Sequence, residues 1–183
     1  MNRLLSLESS CLLVVDIQEK FVSVIDEYER VVAKSKIMIQ AAGMLGVPVI
    51  VSEQYPKGLG QTVSELSEVY PEKTQIHDKT AFGCLGDVGL TEQIAALGKK
   101  QIVVVGIETH VCVNQTVHQL LNADYQVHLI EDALGSRSSE NRDIGIAKMR
   151  ASGAVSSCVE MALFEWMGDA KHPRFKDVQA LIK

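Results

Sequence analysis

Residues Gln101–Val113 read QIVVVGIETHVCV, and the organisation of the whole chain rests on this stretch. Ile102–Val105 is an unbroken β-branched run, the pattern of a strand buried on both faces of a parallel sheet. Gly106 ends the run, and Thr109 is placed to cap the helix beyond it. Val113, Thr116, Val117, Leu120 and Leu121 then recur at i, i+3, i+4, i+7 and i+8, one apolar face of that helix. The unit is a strand, a tight turn and a helix, with Cys112 in or next to the first helical turn. Free N–H groups and the positive end of the helix dipole favour a thiolate there. The position therefore predicts a Cys112 pKa below the ordinary value of about 8.5. A cysteine in an α/β protein is also commonly a small buried hydrophobe, and position alone leaves both roles open.

Outward from this unit, strand and helix patterns alternate. Strands are predicted at Cys11–Val15, Pro48–Ser52, Thr74–Asp78, Gln126–Ile130 and Ala154–Ser157. Between them, Val31–Leu45 carries Ile37, Met38, Ala41, Ala42 and Leu45 at helical spacing, and Gly46 stops it. Thr62 and Glu65 have the spacing of a capping box for a short helix. Leu90–Leu97 reads as a helix ending at Gly98, and Ser139 as the cap of a helix running to about Ala151. Helices at Val159–Trp166 and Phe175–Ile182 complete the chain. Alternation of this kind implies a parallel sheet covered by helices on both faces. No repeat or linker interrupts it, so residues 1–183 are read as one domain.

Composition narrows the function. Hydrophobic residues are 46% and charged residues 22%, which excludes a disordered chain. With 18 basic against 23 acidic residues the net charge is −5, and no basic cluster suggests a nucleic-acid partner. No apolar run approaches a membrane span, and the N-terminal run leads straight into the first strand rather than forming a signal peptide. Cys11, Cys84, Cys112 and Cys158 show neither CxxC pairing nor zinc-like spacing, which points to free thiols in a cytoplasmic, reducing setting. GxGxxG and GxxxxGK[ST] are absent, so neither a dinucleotide nor a nucleotide phosphate is implied as cofactor.

Parallel sheets bind ligands beyond the C-terminal ends of their strands. Asp16, Glu53, Lys79, Cys112 and Asp132 all fall on that edge. Of these, Asp16, Lys79 and Cys112 form a set with chemistry. A carboxylate can take the thiol proton, a lysine can hold the carboxylate, and backbone N–H groups in the 107–112 turn can receive the oxygen of a tetrahedral intermediate. Such a set suits acyl transfer without histidine. Glu53 and Asp132 are equally placed to read a substrate or to cap helices.

The segments VVDIQEKF, DKTAFGC and GIETHVCV, in this order, resemble the isochorismatase-like cysteine hydrolase superfamily. EQYPKGLG and HPRFKDVQALIK resemble most its isochorismatase-domain-containing subgroup. The resemblance spans nearly the whole chain. It implies a three-layer α/β/α, Rossmann-like fold with a six-stranded parallel sheet and an Asp16–Lys79–Cys112 catalytic triad. It also implies a cis Ile107–Glu108 peptide, an oxyanion hole from the N–H groups of Glu108 and Cys112, and Phe21 as an aromatic pocket wall. Tyr55, Phe82 and His110 are further candidates to line the substrate pocket. Nicotinamidases of this superfamily carry an Asp-x-His metal motif after the second strand. Here that stretch reads Ser52-Glu53-Gln54-Tyr55, and no histidine pair has ligand spacing, so no metal is expected.

The expected function is therefore a metal-independent hydrolase acting on a small amide, carbamoyl or related substrate. Vinyl-ether hydrolysis of the isochorismatase type and a non-catalytic binding or scaffold role are the alternatives. Relatives form closed oligomers, and the segment AVSSCVEMALFEW offers Met161, Phe164 and Trp166 either to a second copy or to the chain's own core.

Overall fold

The computed structural model describes residues 4–183. Six strands form one all-parallel sheet: β1 (Ser10–Val15), β2 (Val49–Gln54), β3 (Gln75–Lys79), β4 (Gln101–Gly106), β5 (Gln126–Leu134) and β6 (Val155–Ser157). Their spatial order is β3-β2-β1-β4-β5-β6. The chain winds one way from β1 to β3 and the other way from β4 to β6, so the switch point lies between β1 and β4. The crevice above those two strands is where a sheet of this kind leaves room for a ligand.

Alternating side chains of the central strands feed two cores. Leu12, Val14, Val51, Val103 and Val105 pack beneath α1 (Tyr28–Leu45) and, further along the chain, α7 (Val159–Met167) and α8 (Phe175–Ala180). Leu13, Val15, Ile50, Ile102 and Val104 face α4 (Val88–Ala96), α5 (Asn114–Asn122) and α6 (Ser139–Ala151). The two short helices α2 (Pro56–Leu59) and α3 (Ser64–Ser67) come after β2. Burial on both faces explains why β1, β2 and β4 lack the alternation of a half-exposed strand.

Several local expectations give way to tertiary contacts. The Thr62–Glu65 capping box does not form, because Thr62 donates both its N–H and its hydroxyl to Glu53 Oε1, at 2.6 and 2.7 Å. The cap of α6 is Ser138, whose hydroxyl accepts from Asn141 N–H, rather than Ser139. Thr109 is no N-cap: its N–H and hydroxyl both go to the Gly135 carbonyl, each at 2.8 Å. Lys79 is the last residue of β3 rather than a loop residue beyond it. Strand β5 runs on to Leu134, four residues past the predicted end, because a register shift after Val104 brings Leu134 opposite Gly106. Trp166 is 3% exposed and donates its Nε1–H to Ser10 Oγ at 3.0 Å, so it belongs to the core and offers nothing to a second copy.

Candidate active site

The site is built from three strand ends around the switch point. Asp16 comes directly after β1 and takes a left-handed backbone conformation, φ 55°, one that aspartate tolerates better than most residues. Its N–H is held by the Ser52 carbonyl at 3.0 Å, and its carbonyl accepts from Gln18 N–H at 2.9 Å. The carboxylate is thereby turned back over the sheet, fully buried. Ser52 Oγ donates to its Oδ1 at 2.7 Å, and Lys79 Nζ donates to Oδ2 at 2.7 Å.

Lys79 is as buried as its partner. Its ammonium also donates to Gln54 Oε1 at 2.7 Å and to the carbonyls of Phe82 and Ala81 at 3.0 and 3.3 Å. Three protons are shared among four acceptors, leaving none for an incoming molecule. Gln54 is itself fixed, giving Nε2–H to the Thr80 carbonyl and its backbone N–H to Gln18 Oε1, both at 2.8 Å. A charge removed from water is tolerated here because every donor and acceptor around it is matched.

Cys112 lies on a single turn of π-helix, Thr109–Val113, that precedes α5. Gly145 of α6 packs against this turn. A Cβ there would come within 3.2 Å of the backbone of His110, so a larger residue would have to push the turn away by a few tenths of an ångström. The Ile107–Glu108 peptide bond is cis. Arg137 grips the Glu108 carboxylate with two parallel hydrogen bonds, 2.9 and 2.8 Å long, which holds that carboxyl below its ordinary range.

Burial, reinforced by the negative charge of Asp16, pushes the Cys112 thiol well above the ordinary thiol range, and Lys79 only partly opposes this. The sequence-based expectation of a lowered pKa is therefore corrected. Cys112 is 7% exposed, and the charge that acts on it most strongly is the Asp16 carboxylate, which also interacts directly with the thiol. Asp16 is raised too, by burial above all, with Lys79 and Ser52 pulling the other way. The resting pair is thus a thiol beside a buried carboxyl group, not a standing thiolate.

The structure brings Asp16, Lys79 and Cys112 together and disperses the aromatic candidates. Tyr55 is 54% exposed and, with Lys57, Asp78, Thr80 and Asp87, lines a cavity of about 360 Å³ that reaches Lys79. Phe82 is 53% exposed, and Phe21 packs against the core beneath α1. His110 places Nδ1 3.1 Å from Ser136 Oγ. Glu53 and Asp132 turn out to be structural: Glu53 binds Thr62, and Asp132 Oδ1 accepts from Val159 N–H at the start of α7. Among the described residues, no three His, Cys, Asp or Glu side chains converge as a metal cage. Sequence reasoning missed Ser52, Gln54 and Gln18. The available signal was polar residues at the C-terminal end of an otherwise apolar strand.

Residues 10–161 match the family model of the isochorismatase domain. The chain belongs to the isochorismatase family. Isochorismatase domain-containing protein 2 of Xenopus laevis is 41% identical over 174 residues, which cover 95% of this chain and 83% of that relative. Among solved structures, the MAR1 ribonuclease of Caenorhabditis elegans superposes with a TM-score of 0.93 at 39% identity, covering 97% of this chain and 91% of that one. The octameric YcaC hydrolase of Escherichia coli shares the fold at 21% identity, with a TM-score of 0.87 over 98% of this chain and 94% of its own. The chain thus has the isochorismatase-like hydrolase fold, with the Asp16–Cys112 crevice at its switch point. No helix among the described residues is long and apolar enough to cross a membrane.

Proposed function

We propose that this chain is a cysteine hydrolase acting, without a metal, on a small amide, carbamoyl or related substrate through Asp16, Lys79 and Cys112. The observation that carries the reading is the Asp16 carboxylate, held through both oxygens yet still interacting with the Cys112 thiol. In the first half-reaction Cys112 Sγ attacks the carbonyl carbon while its proton passes to Asp16. The N–H groups of Glu108 and Cys112 receive the oxygen that becomes negative. Asp16 then gives the proton to the departing amine, leaving an acyl thioester. In the second half, Asp16 takes a proton from water as the water oxygen attacks the thioester carbon. That proton returns to the Cys112 sulfur as the acid leaves.

Lys79, with all its protons engaged, orients Asp16 rather than touching substrate. A resting thiol suits this scheme, because the nucleophile is generated only when Asp16 can receive its proton. Tyr55, which lines the cavity reaching Lys79, is read as a substrate contact, with Phe21, Phe82 and His110 as further candidates. Met161 and Phe164, 50% and 39% exposed, are the apolar face open to a second copy, and four free cysteines suit a reducing compartment.

The deciding experiment is intact-protein mass spectrometry during turnover of a panel of small amides and carbamoyl compounds. An acyl adduct mapped to Cys112, absent in Cys112→Ala, supports the reading. Turnover that survives Cys112→Ala refutes it. The name of the nematode relative brings RNA cleavage as a second reading. RNA cut by the parent but not by Asp16→Asn or Cys112→Ala would favour it over the amide reading.

A further inference from the structure

Asp16 is held by two donors on opposite oxygens, and only one of them belongs to the triad. Ser52, fully buried in β2, gives its hydroxyl proton to Oδ1 at 2.7 Å. An ionised carboxylate can only accept, so the Ser52 proton points at Asp16 and its lone pairs are left for another donor. Cys84 supplies it, with Sγ 3.6 Å from Ser52 Oγ. Cys84 is fully buried, and its backbone N–H is anchored on Thr116 Oγ1 at 2.9 Å, so the thiol is delivered to Ser52 from a fixed point on α5. The line Cys84–Ser52–Asp16 thus ends on the carboxylate oxygen that Lys79 does not hold.

We propose that Ser52, backed by Cys84, is a positioning residue that holds the Asp16 carboxylate in one orientation and sets the pH at which it gives up its proton. The inference rests on the reading of Asp16 as the base for Cys112. A neutral donor is suited to this task. It favours the ionised carboxylate through a hydrogen bond without adding a second positive charge that would weaken Asp16 as a base. The other ionisable groups facing Asp16 are Lys79 from β3, Cys112 from the turn after β4, and Cys84 itself. Burial of the carboxylate pushes its proton affinity up, and removal of the Ser52 donor pushes it further in the same direction.

The test is the rate of Cys112 alkylation by iodoacetamide against pH, resolved by peptide mass spectrometry and therefore independent of substrate. The parent is expected to show an acid limb that Asp16→Asn abolishes or displaces. Ser52→Ala should move that limb upward by about one pH unit, the weight of a hydrogen bond to a charged group. Ser52→Thr, which restores a hydroxyl, should leave it in place, and Cys84→Ala should shift it upward by less. An Asp16-dependent limb that Ser52→Ala leaves unmoved overturns the inference while the Asp16–Cys112 reading stands. A limb indifferent to Asp16→Asn overturns both. Should Ser52→Ala fail to fold, Cys84→Ala decides alone, and an unshifted limb there overturns the proposal.

Discussion

Replacing His128 with leucine is expected to remove a large part of the acid sensitivity of this protein. His128 lies in β5 between Val103 of β4 and Val155 of β6, with no surface exposed and with neither ring nitrogen hydrogen-bonded. Burial alone pushes its pKa down to about 4. In the folded protein the imidazole is therefore neutral at any pH above about 4, whereas in the unfolded chain it gains a proton below about 6.5. Between those values the unfolded state binds more protons, so stability falls as pH falls through that window and levels off below it.

The full difference is about 2.5 pH units, or about 3 kcal/mol at about 1.36 kcal/mol per unit. By pH 5 about 2 kcal/mol of this has been lost. With an unfolding entropy of about 2.1 cal/mol/K per residue over 183 residues, that corresponds to about 5 °C in Tm. His128→Leu removes the proton and two unpaired polar atoms together. The variant should be at least as stable as the parent at pH 8 and should gain a further 5 °C or so over it by pH 5. Thermal unfolding of both proteins from pH 8 to pH 5 measures this, and every other ionisable group cancels in the difference. A Tm difference between variant and parent that stays constant across that range would refute the argument.

Lys79→Met should destabilise the fold by about 3–5 kcal/mol in urea at neutral pH, because it leaves the buried Asp16 carboxylate without its partner. With the Asp16 pKa raised further, the loss should be greatest at neutral pH. It should shrink as pH falls toward the unfolded value of about 3.9, where the neutral acid is tolerated. Gly106→Ala should abolish folding, read as loss of the soluble protein or of its cooperative melt. Gly106 sits at φ +124°, and a Cβ there would collide with the Val15 carbonyl oxygen inside the β1–β4 ladder. Light scattering at micromolar concentration should return an oligomer, and Met161→Glu with Phe164→Glu should reduce it to a 20.0 kDa particle if α7 forms the contact.

What the sequence determined by itself was the layered architecture. The β-branched run Ile102–Val105, the helical stripe from Val113 to Leu121 and the glycine stops at Gly46 and Gly98 are local patterns, and each names its element without help from the rest of the chain. Parallel alternation then placed the C-terminal end of β3 and the residues after β1 and β4 on one edge, which is why Asp16, Lys79 and Cys112 were legible as a group. Tertiary structure decided what depends on distance and burial. The sign of the Cys112 shift reversed because the thiol is enclosed and faces a carboxylate, and a helix-end argument made from position alone contains neither fact. Ser52, Gln54 and Cys84 acquired roles through contacts spanning more than 20 residues, which no spacing rule encodes. Trp166 went to the core because Ser10, 156 residues away, receives its N–H. Thr62 and Thr109 left their expected capping places because Glu53 and Gly135 offered buried acceptors that had to be satisfied. Periodicity is a property of neighbours along the chain. Proton affinity and hydrogen-bond partnership are properties of neighbours in space, and only the folded sheet brings those together.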